Sequence, residues 1–331
     1  MKKNLWLLLF LFGIYNASAS DKKSIHVITD RSDAHLLDLT SKFEKESGVE
    51  VNLTFVKNGI IEKVKSYDYD AIISKDSSEL VAAKDEGLLH TIDDSVLDNI
   101  PTNFKDIDKQ WFNMSYRIRS FHMKKGLTDA PTSYEDLAKP QYKNRICIRS
   151  LTHNYNLEMY GTMLSYMGEE KFTNWFKGFK SNIVKDSAAG NDRTQVKGVY
   201  DGECDIAVAN SYYRGLMLQD PEQKKWAEAT YLYIPNQENG RGAIALYSAV
   251  GSLSDNTNNK TFLNYLISKE TQQQLSYDNY EYPIKTENTS PTVKQYGDAQ
   301  KLDYKSIKLF DNVQNDLFEL RKKAYLIIKA N

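Results

Sequence analysis

Apolar and polar residues alternate through Ser24-Ile-His-Val-Ile-Thr29, and the β-branched content of that stretch predicts a strand. Leu36, Leu37, Leu39 and Phe43 then recur at helical spacing, with Ser47-Gly48 as a stop. Val49–Val56 reads as a second strand, Ile60–Val64 as a short helix, and Tyr69–Ile73 as a third strand. A helix over Glu79–Glu86 is halted by Gly87. Strands alternating with helices imply βαβ units and a parallel sheet. The loops Asp30–Asp33 and Ser74–Ser77 then share the sheet edge where a ligand would sit.

Thr91–Gln110 is polar and irregular, and Trp111–Met123 alternates as one long strand. Pro131–Leu137 reads as a helix start with Ser133 as N-cap and Asp136 three residues on. A strand over Asn144–Arg149 leads through a loop into a helix near Asn156–Met167. Glu170–Phe179 is amphipathic, and Gln195–Asp201 leads into a buried strand, Asp205–Ala209. Strands are expected at Thr230–Ile234 and Ala243–Val250, and helices over Asn258–Tyr277 and Ser306–Lys329. The result is an α/β chain of two lobes, with the strands around Ser115–Ser120 and Leu246–Tyr247 crossing between them. A cleft between hinged lobes suits capture of a small ligand by closure.

At 331 residues the chain is long for one core, which agrees with two lobes. Its net charge of −1 and the absence of a long Lys/Arg block argue against a nucleic-acid surface. Residues 1–19 differ in kind. Lys2 and Lys3 precede an apolar run from Leu5 to Tyr15, and Ala17-Ser18-Ala19 is a small-x-small site, the pattern of a cleavable signal peptide. Export permits a disulfide between the two cysteines, Cys147 and Cys204, but free buried thiols fit the sequence equally well.

No G-x-S-x-G elbow, Walker A run, G-x-G-x-x-G or H-E-x-x-H is present, so no enzyme is indicated. Of the five histidines only His153 falls in a strand-end loop expected to line the cleft. Three tyrosines do converge. Tyr155 follows the strand Arg145–Arg149, and Tyr212 and Tyr213 follow Asp205–Ala209 on the same lobe edge. A phenol is neutral at pH 7, but a hard, highly charged cation displaces its proton. Phenolate oxygen suits ferric iron, and three phenolates balance a trivalent charge.

These residues sit within a longer likeness. Phe43-Glu-Lys-Glu-Ser-Gly48, Glu86-Gly-Leu-Leu89, Ser115-Tyr-Arg-Ile-Arg119, Ile148-Arg-Ser150 through Tyr155, Asn191-Asp-Arg-Thr-Gln195 and Asn210-Ser-Tyr-Tyr213 occur in order. Ile234-Pro-Asn-Gln237, Arg241-Gly242 and Asn279-Tyr-Glu-Tyr-Pro283 complete the series. Along nearly its whole mature length the chain resembles the periplasmic ferric-iron-binding proteins, tyrosine-rich branch, that serve bacterial ABC importers. The resemblance implies a two-lobed periplasmic-binding-protein fold of type II, with transferrin-like lobes and a hinge. Lobe 1 would comprise residues 20–116 plus about 247–280, and lobe 2 about 117–246 plus 281–331. It implies Fe(III) held by Tyr155, Tyr212 and Tyr213, delivery to an inner-membrane permease, a periplasmic location and a monomer.

The departures fall in the first lobe. Where the family carries Arg-His-Tyr or a lone His after the first strand, this chain reads Arg31-Ser32-Asp33. Another branch's glutamate after the third strand is replaced nearby by Lys75 and Asp76, and the pattern Arg-Gly-Thr-His-x-Asn by Arg241-Gly-Ala-Ile-Ala-Leu246. Asp33 is the candidate fourth ligand, with the alternative role of helix N-cap. Ser32, Arg117 and Arg119 are candidates to hold an anion or to support the ligands, the two arginines sharing one strand face. The alternatives are the same fold binding a ferric chelate or a non-metal anion, or a sensor or docking module without a ligand.

Overall fold

The computed structural model describes residues 23–31, 34–184, 189–310 and 316–331. The expected signal peptide and the candidates Ser32 and Asp33 lie outside the described residues. Among the described residues nine strands form the frame: β1 Ser24–Thr29, β2 Glu50–Phe55, β3 Ala71–Ser74, β4 Trp111–Lys124, β5 Ile146–Ile148, β6 Ile206–Asn210, β7 Thr230–Tyr233, β8 Ala245–Ser252 and β9 Tyr282–Pro283. Their order is β2-β1-β3-β8-β4-β6-β5, with β7 and β9 also paired to β4. The expected βαβ logic holds at both ends, where β1 pairs parallel with β2 and β3, and β5 with β6.

The centre is antiparallel. The strand β4 pairs with β8 from Trp111 to Ile118 and with β6 from Arg119 to Met123. It therefore changes partners between Ile118 and Arg119, at the level where Arg117 faces Leu246. Thirteen of its residues are buried, because elements cover both faces of a strand so placed. Arg117, Arg119, Asn113 and His122 are carried inside with it.

One core gathers Ile25, Phe43, Phe112, Tyr116, Phe262 and Tyr282. A second gathers Phe121, Tyr160, Phe172, Trp175 and Phe176 with Phe179, whose ring stacks on Trp175 at 5.0 Å. Ile284, Val293 and Tyr296 pack in the first core together with Leu232, Ile234 and Ala243, and Gln300 exchanges hydrogen bonds with the backbone of Ile234. The last helix joins the second core through Ala324, Ile327 and Ile328. Cys147 and Cys204 form a disulfide, brought together as β5 and β6 align with Cys147 opposite Ala207.

Three expected helices are revised. The run Asn258–Tyr277 is two helices, Thr257–Leu266 and Lys269–Tyr277, because Ser268 leaves the helix to cap the second through Thr271 N (3.2 Å). The C-terminal helix spans Leu317–Ala330 and does not begin at Ser306. Upstream, the backbone of Ala243 exchanges hydrogen bonds with Lys308 O and Phe310 N, both at 2.8 Å, which holds Leu309 extended beside it. At Pro131–Leu137, Ser133 and Asp136 do make the reciprocal cap, but it opens only the short 3₁₀ turn Glu135–Ala138. Among the described residues no helix is long and apolar enough to cross a membrane.

Candidate functional site

The strand β6 ends at Asn210, and the chain turns through Ser211 into the helix Tyr212–Gln219. Ser211 is fixed to the crossing strand twice, its N–H donating to Ile118 O (2.9 Å) and its Oγ accepting from Ile118 N (3.1 Å). Tyr212 and Tyr213 thus occupy a first helical turn beyond a strand end, with ring centroids 4.1 Å apart. Tyr155 is the second residue of the helix Asn154–Met167, whose N-cap is His153: the ring Nδ1 accepts from Tyr155 N at 3.2 Å. All three tyrosines line one cavity of about 510 Å³.

Arg119 ties these elements together from beneath. Its Nη1 donates to Asp192 Oδ2 (2.5 Å) and Asn210 Oδ1 (3.0 Å), and its Nη2 donates to Asn156 Oδ1 (2.6 Å). Asn156 follows Tyr155, and its amide in turn donates to Arg149 O and Ser150 O. Arg119 is fully buried and does not line the cavity; of the two arginine candidates only Arg117 does. Sharing a strand face does not put them in one compartment, because β4 passes from one lobe to the other between them.

The first-lobe and hinge side of the cavity is lined by Asp30, Arg31, Lys75, Arg117, Asn279 and Glu281. Asp30 is engaged by Lys75, whose backbone N–H donates to Oδ1 at 2.8 Å and whose Nζ lies 3.2 Å from Oδ2. Arg31 pairs with Glu281 at 3.0 Å, and both are nearly sealed from solvent. Glu281 also accepts from Ser115, while Arg117 donates to Ser248 Oγ (2.6 Å) and to Lys75 O. Burial alone would raise the Glu281 carboxyl, but Arg31, Arg117 and the hydrogen bonds outweigh it and hold the group below its usual range. Sequence reasoning singled out Lys75 and the loops around Asp30 and His153. Arg149 and Glu281, by contrast, carry no local signal that assigns them to this cavity.

The phenols are raised. Burial pushes Tyr213 up to about 12, and burial with the neighbouring Tyr155 and Tyr213 lifts Tyr212 well above the ordinary phenol range, against Arg117. Burial and Arg149 hold His153 down, at about 4, so it is neutral at pH 7. Since its Nδ1 accepts a backbone hydrogen bond, the neutral ring carries its proton on Nε2 and offers the cavity no lone pair. Guanidinium groups of Arg117 and Arg149 lie 5.6 and 5.3 Å from the Tyr155 ring centroid. Four side chains of the lining are cationic, Arg31, Lys75, Arg117 and Arg149, against two carboxylates, Asp30 and Glu281. Such a cavity combines hard oxygen donors with an excess of positive charge. Among the described residues no group of three or more His, Cys, Asp or Glu side chains could hold a metal ion.

Residues 66–308 match the family of bacterial extracellular solute-binding proteins. The chain is 34% identical over 260 residues to iron uptake protein A1 of Synechocystis, covering 75% of this chain and 72% of that protein. A Trichodesmium protein solved in complex with iron and citrate ligands is 30% identical, with a TM-score of 0.82 over 93% of this chain and 98% of that one. An apo ferric ion-binding protein from Pasteurella haemolytica is 31% identical, with a TM-score of 0.83 over 93% and 97%. The fold is therefore the two-lobed type II periplasmic-binding-protein fold, and the matched family is a solute-binding, non-enzymatic component of transport. This chain belongs to the bacterial extracellular solute-binding proteins.

Proposed function

We propose that the chain is the periplasmic component of a ferric-iron ABC importer, holding its cargo on the phenolates of Tyr155, Tyr212 and Tyr213 and handing it to an inner-membrane permease. The observation that carries this reading is the convergence of the three phenols on one cavity from two helix starts held by Arg119. A phenol with its proton at neutral pH is a poor ligand for a divalent ion, whereas a trivalent ion repays deprotonation. Three phenolates cancel the ferric charge, and one lobe edge supplies half of an octahedral shell.

The other half is read from the cationic wall. Asp30 is the described carboxylate nearest in sequence to the family's first-lobe ligands, and it is occupied by Lys75. With Arg31, Lys75, Arg117 and Arg149 around a cavity of about 510 Å³, the shell is completed by an anion that arrives with the iron. A ferric hydroxycarboxylate therefore suits this chain better than bare ferric ion; the Trichodesmium relative was solved with iron and citrate. Native mass spectrometry of the iron-free protein mixed with ferric citrate tests this. The expected species carries one iron and one citrate per chain. Iron retained without citrate would refute the chelate, and no iron retained at all would refute the metal site.

A further inference from the structure

Away from the tyrosines, a second set of contacts spans the two lobes. The helix Leu317–Ala330 buries Ala324, Ile327 and Ile328 in the second core. It lies so close to the tyrosine-bearing helix Asn154–Met167 that a Cβ on Gly161 would come 3.1 Å from the Arg321 backbone nitrogen. From this position Arg321 reaches the other lobe, where its Nη1 donates to Asp76 and to Ser78. Those residues belong to the helix Ser77–Asp85 and its N-cap, and Leu80, Val81 and Ala83 of that helix pack around β1 and β3 in a separate cluster. The Arg321 side chain is 11% exposed and that of Asp76 4%. Glu79 and the buried Glu158 also face the guanidinium, and burial raises both carboxyls above the usual glutamate range.

The contact adjoins the cavity. Lys75, which lines it, precedes Asp76, and its carbonyl accepts from Arg117. The dipeptide Lys75-Asp76 is thus gripped by one arginine from the crossing strand and another from the last helix. Glu158 lies three residues beyond Tyr155 on the helix that Arg321 packs against.

We propose that Arg321 and Asp76 form an interlobe latch that favours the closed cleft and slows release of cargo. Lobes joined by crossing strands rotate about them, and a contact made only when they meet shifts the equilibrium by its differential free energy. Opening would return both charges to water and end their mutual attraction. A part-buried, charge-assisted pair of this kind gives a shift of roughly tenfold to a hundredfold in the closed-to-open ratio. The closure arm of the proposal stands independently of the cargo; the release arm rests on the iron reading above.

The test uses Arg321→Gln, Asp76→Asn, which keeps a capping oxygen, the double variant, and Arg321→Lys. Small-angle scattering of the iron-free protein reports closure. The single variants are expected to have a larger radius of gyration than the parent, the double variant no larger than either single, and Arg321→Lys to recover part of the compaction. In protein loaded from ferric citrate, iron loss to a competing chelator is expected to be roughly ten to a hundred times faster in the single variants. Unchanged scattering in folded variants, or effects that simply add in the double variant, would overturn the latch. If the parent takes up no iron, the cargo reading fails while the scattering still decides the latch. Should Arg321→Gln not fold, Asp76→Asn combined with Ser78→Ala removes the same contact from the other side.

Discussion

Replacing Arg119 with methionine tests whether one buried guanidinium positions the tyrosine site. Methionine fills most of the stem and removes the charge, so the loss is electrostatic and not a large cavity. Three hydrogen bonds disappear, to Asp192, Asn210 and Asn156, and both members of the ion pair are fully buried. Stranding one partner of a buried pair costs about 3–5 kcal/mol. Here Asp192 keeps a backbone bond from Asn210 (2.8 Å) and the more distant Arg149 (3.6 Å), which puts the expected loss near the lower bound, about 3 kcal/mol. For a chain of this size about 2 °C of melting temperature is lost per kcal/mol, so calorimetry of the iron-free protein should show a fall of roughly 6 °C. The same variant should bind ferric iron at least about tenfold more weakly, with the position of its visible band unchanged, because the donors remain and only their placement loosens. A fall of under ~1 °C together with wild-type iron affinity would refute the reasoning.

Two further outcomes follow from groups with shifted titration. Burial and the nearby Asp76 raise Glu79 to about 7, against Arg321. Between the usual glutamate range and that value the folded chain holds a proton the unfolded chain has lost, so stability falls as pH rises from about 4.5 to 7 and stays lower above. Glu79→Gln should remove this fall, making the variant more stable than the parent at pH 8 by up to about 3 kcal/mol but not at pH 4.5; a difference independent of pH in urea titrations would contradict it. For the cargo, Tyr213 at about 12 and Tyr212, which burial also raises well above the ordinary phenol range, keep their protons through neutral pH. Ferric loading must expel them, so affinity at fixed free ferric ion should rise at least about a hundredfold per pH unit. Fewer than one proton released per iron in a weakly buffered titration would exclude phenolate binding.

How far the site could be read in advance depended on the range of the contacts involved. Tyr212 and Tyr213 were legible because a buried strand immediately precedes them, and a strand end is a local signal. Tyr155 was legible for the same reason, through β5 and the turn that His153 caps. The roles of Arg117 and Arg119 were not, since period-two alternation puts them on one face but cannot say where the strand changes partners. The pairing of Arg31 with Glu281 joins opposite ends of the sequence and leaves no trace in spacing. The Cys147–Cys204 bridge depended likewise on the parallel register of β5 and β6. The C-terminal helix read too long because apolar spacing around Leu309 resembles a helical face, while a backbone bridge to Ala243 decides otherwise.

The central claim is that three phenolates hold ferric iron, and it is tested most directly by titrating the iron-free protein with ferric citrate while following the visible spectrum. Phenolate bound to ferric iron has a charge-transfer absorption that neither free tyrosine nor ferric citrate shows. The account predicts a band that saturates at one iron per chain, weakens in Tyr155→Phe and collapses in Tyr212→Phe and Tyr213→Phe. Folded protein that develops no band, or a band that survives all three substitutions, would contradict it.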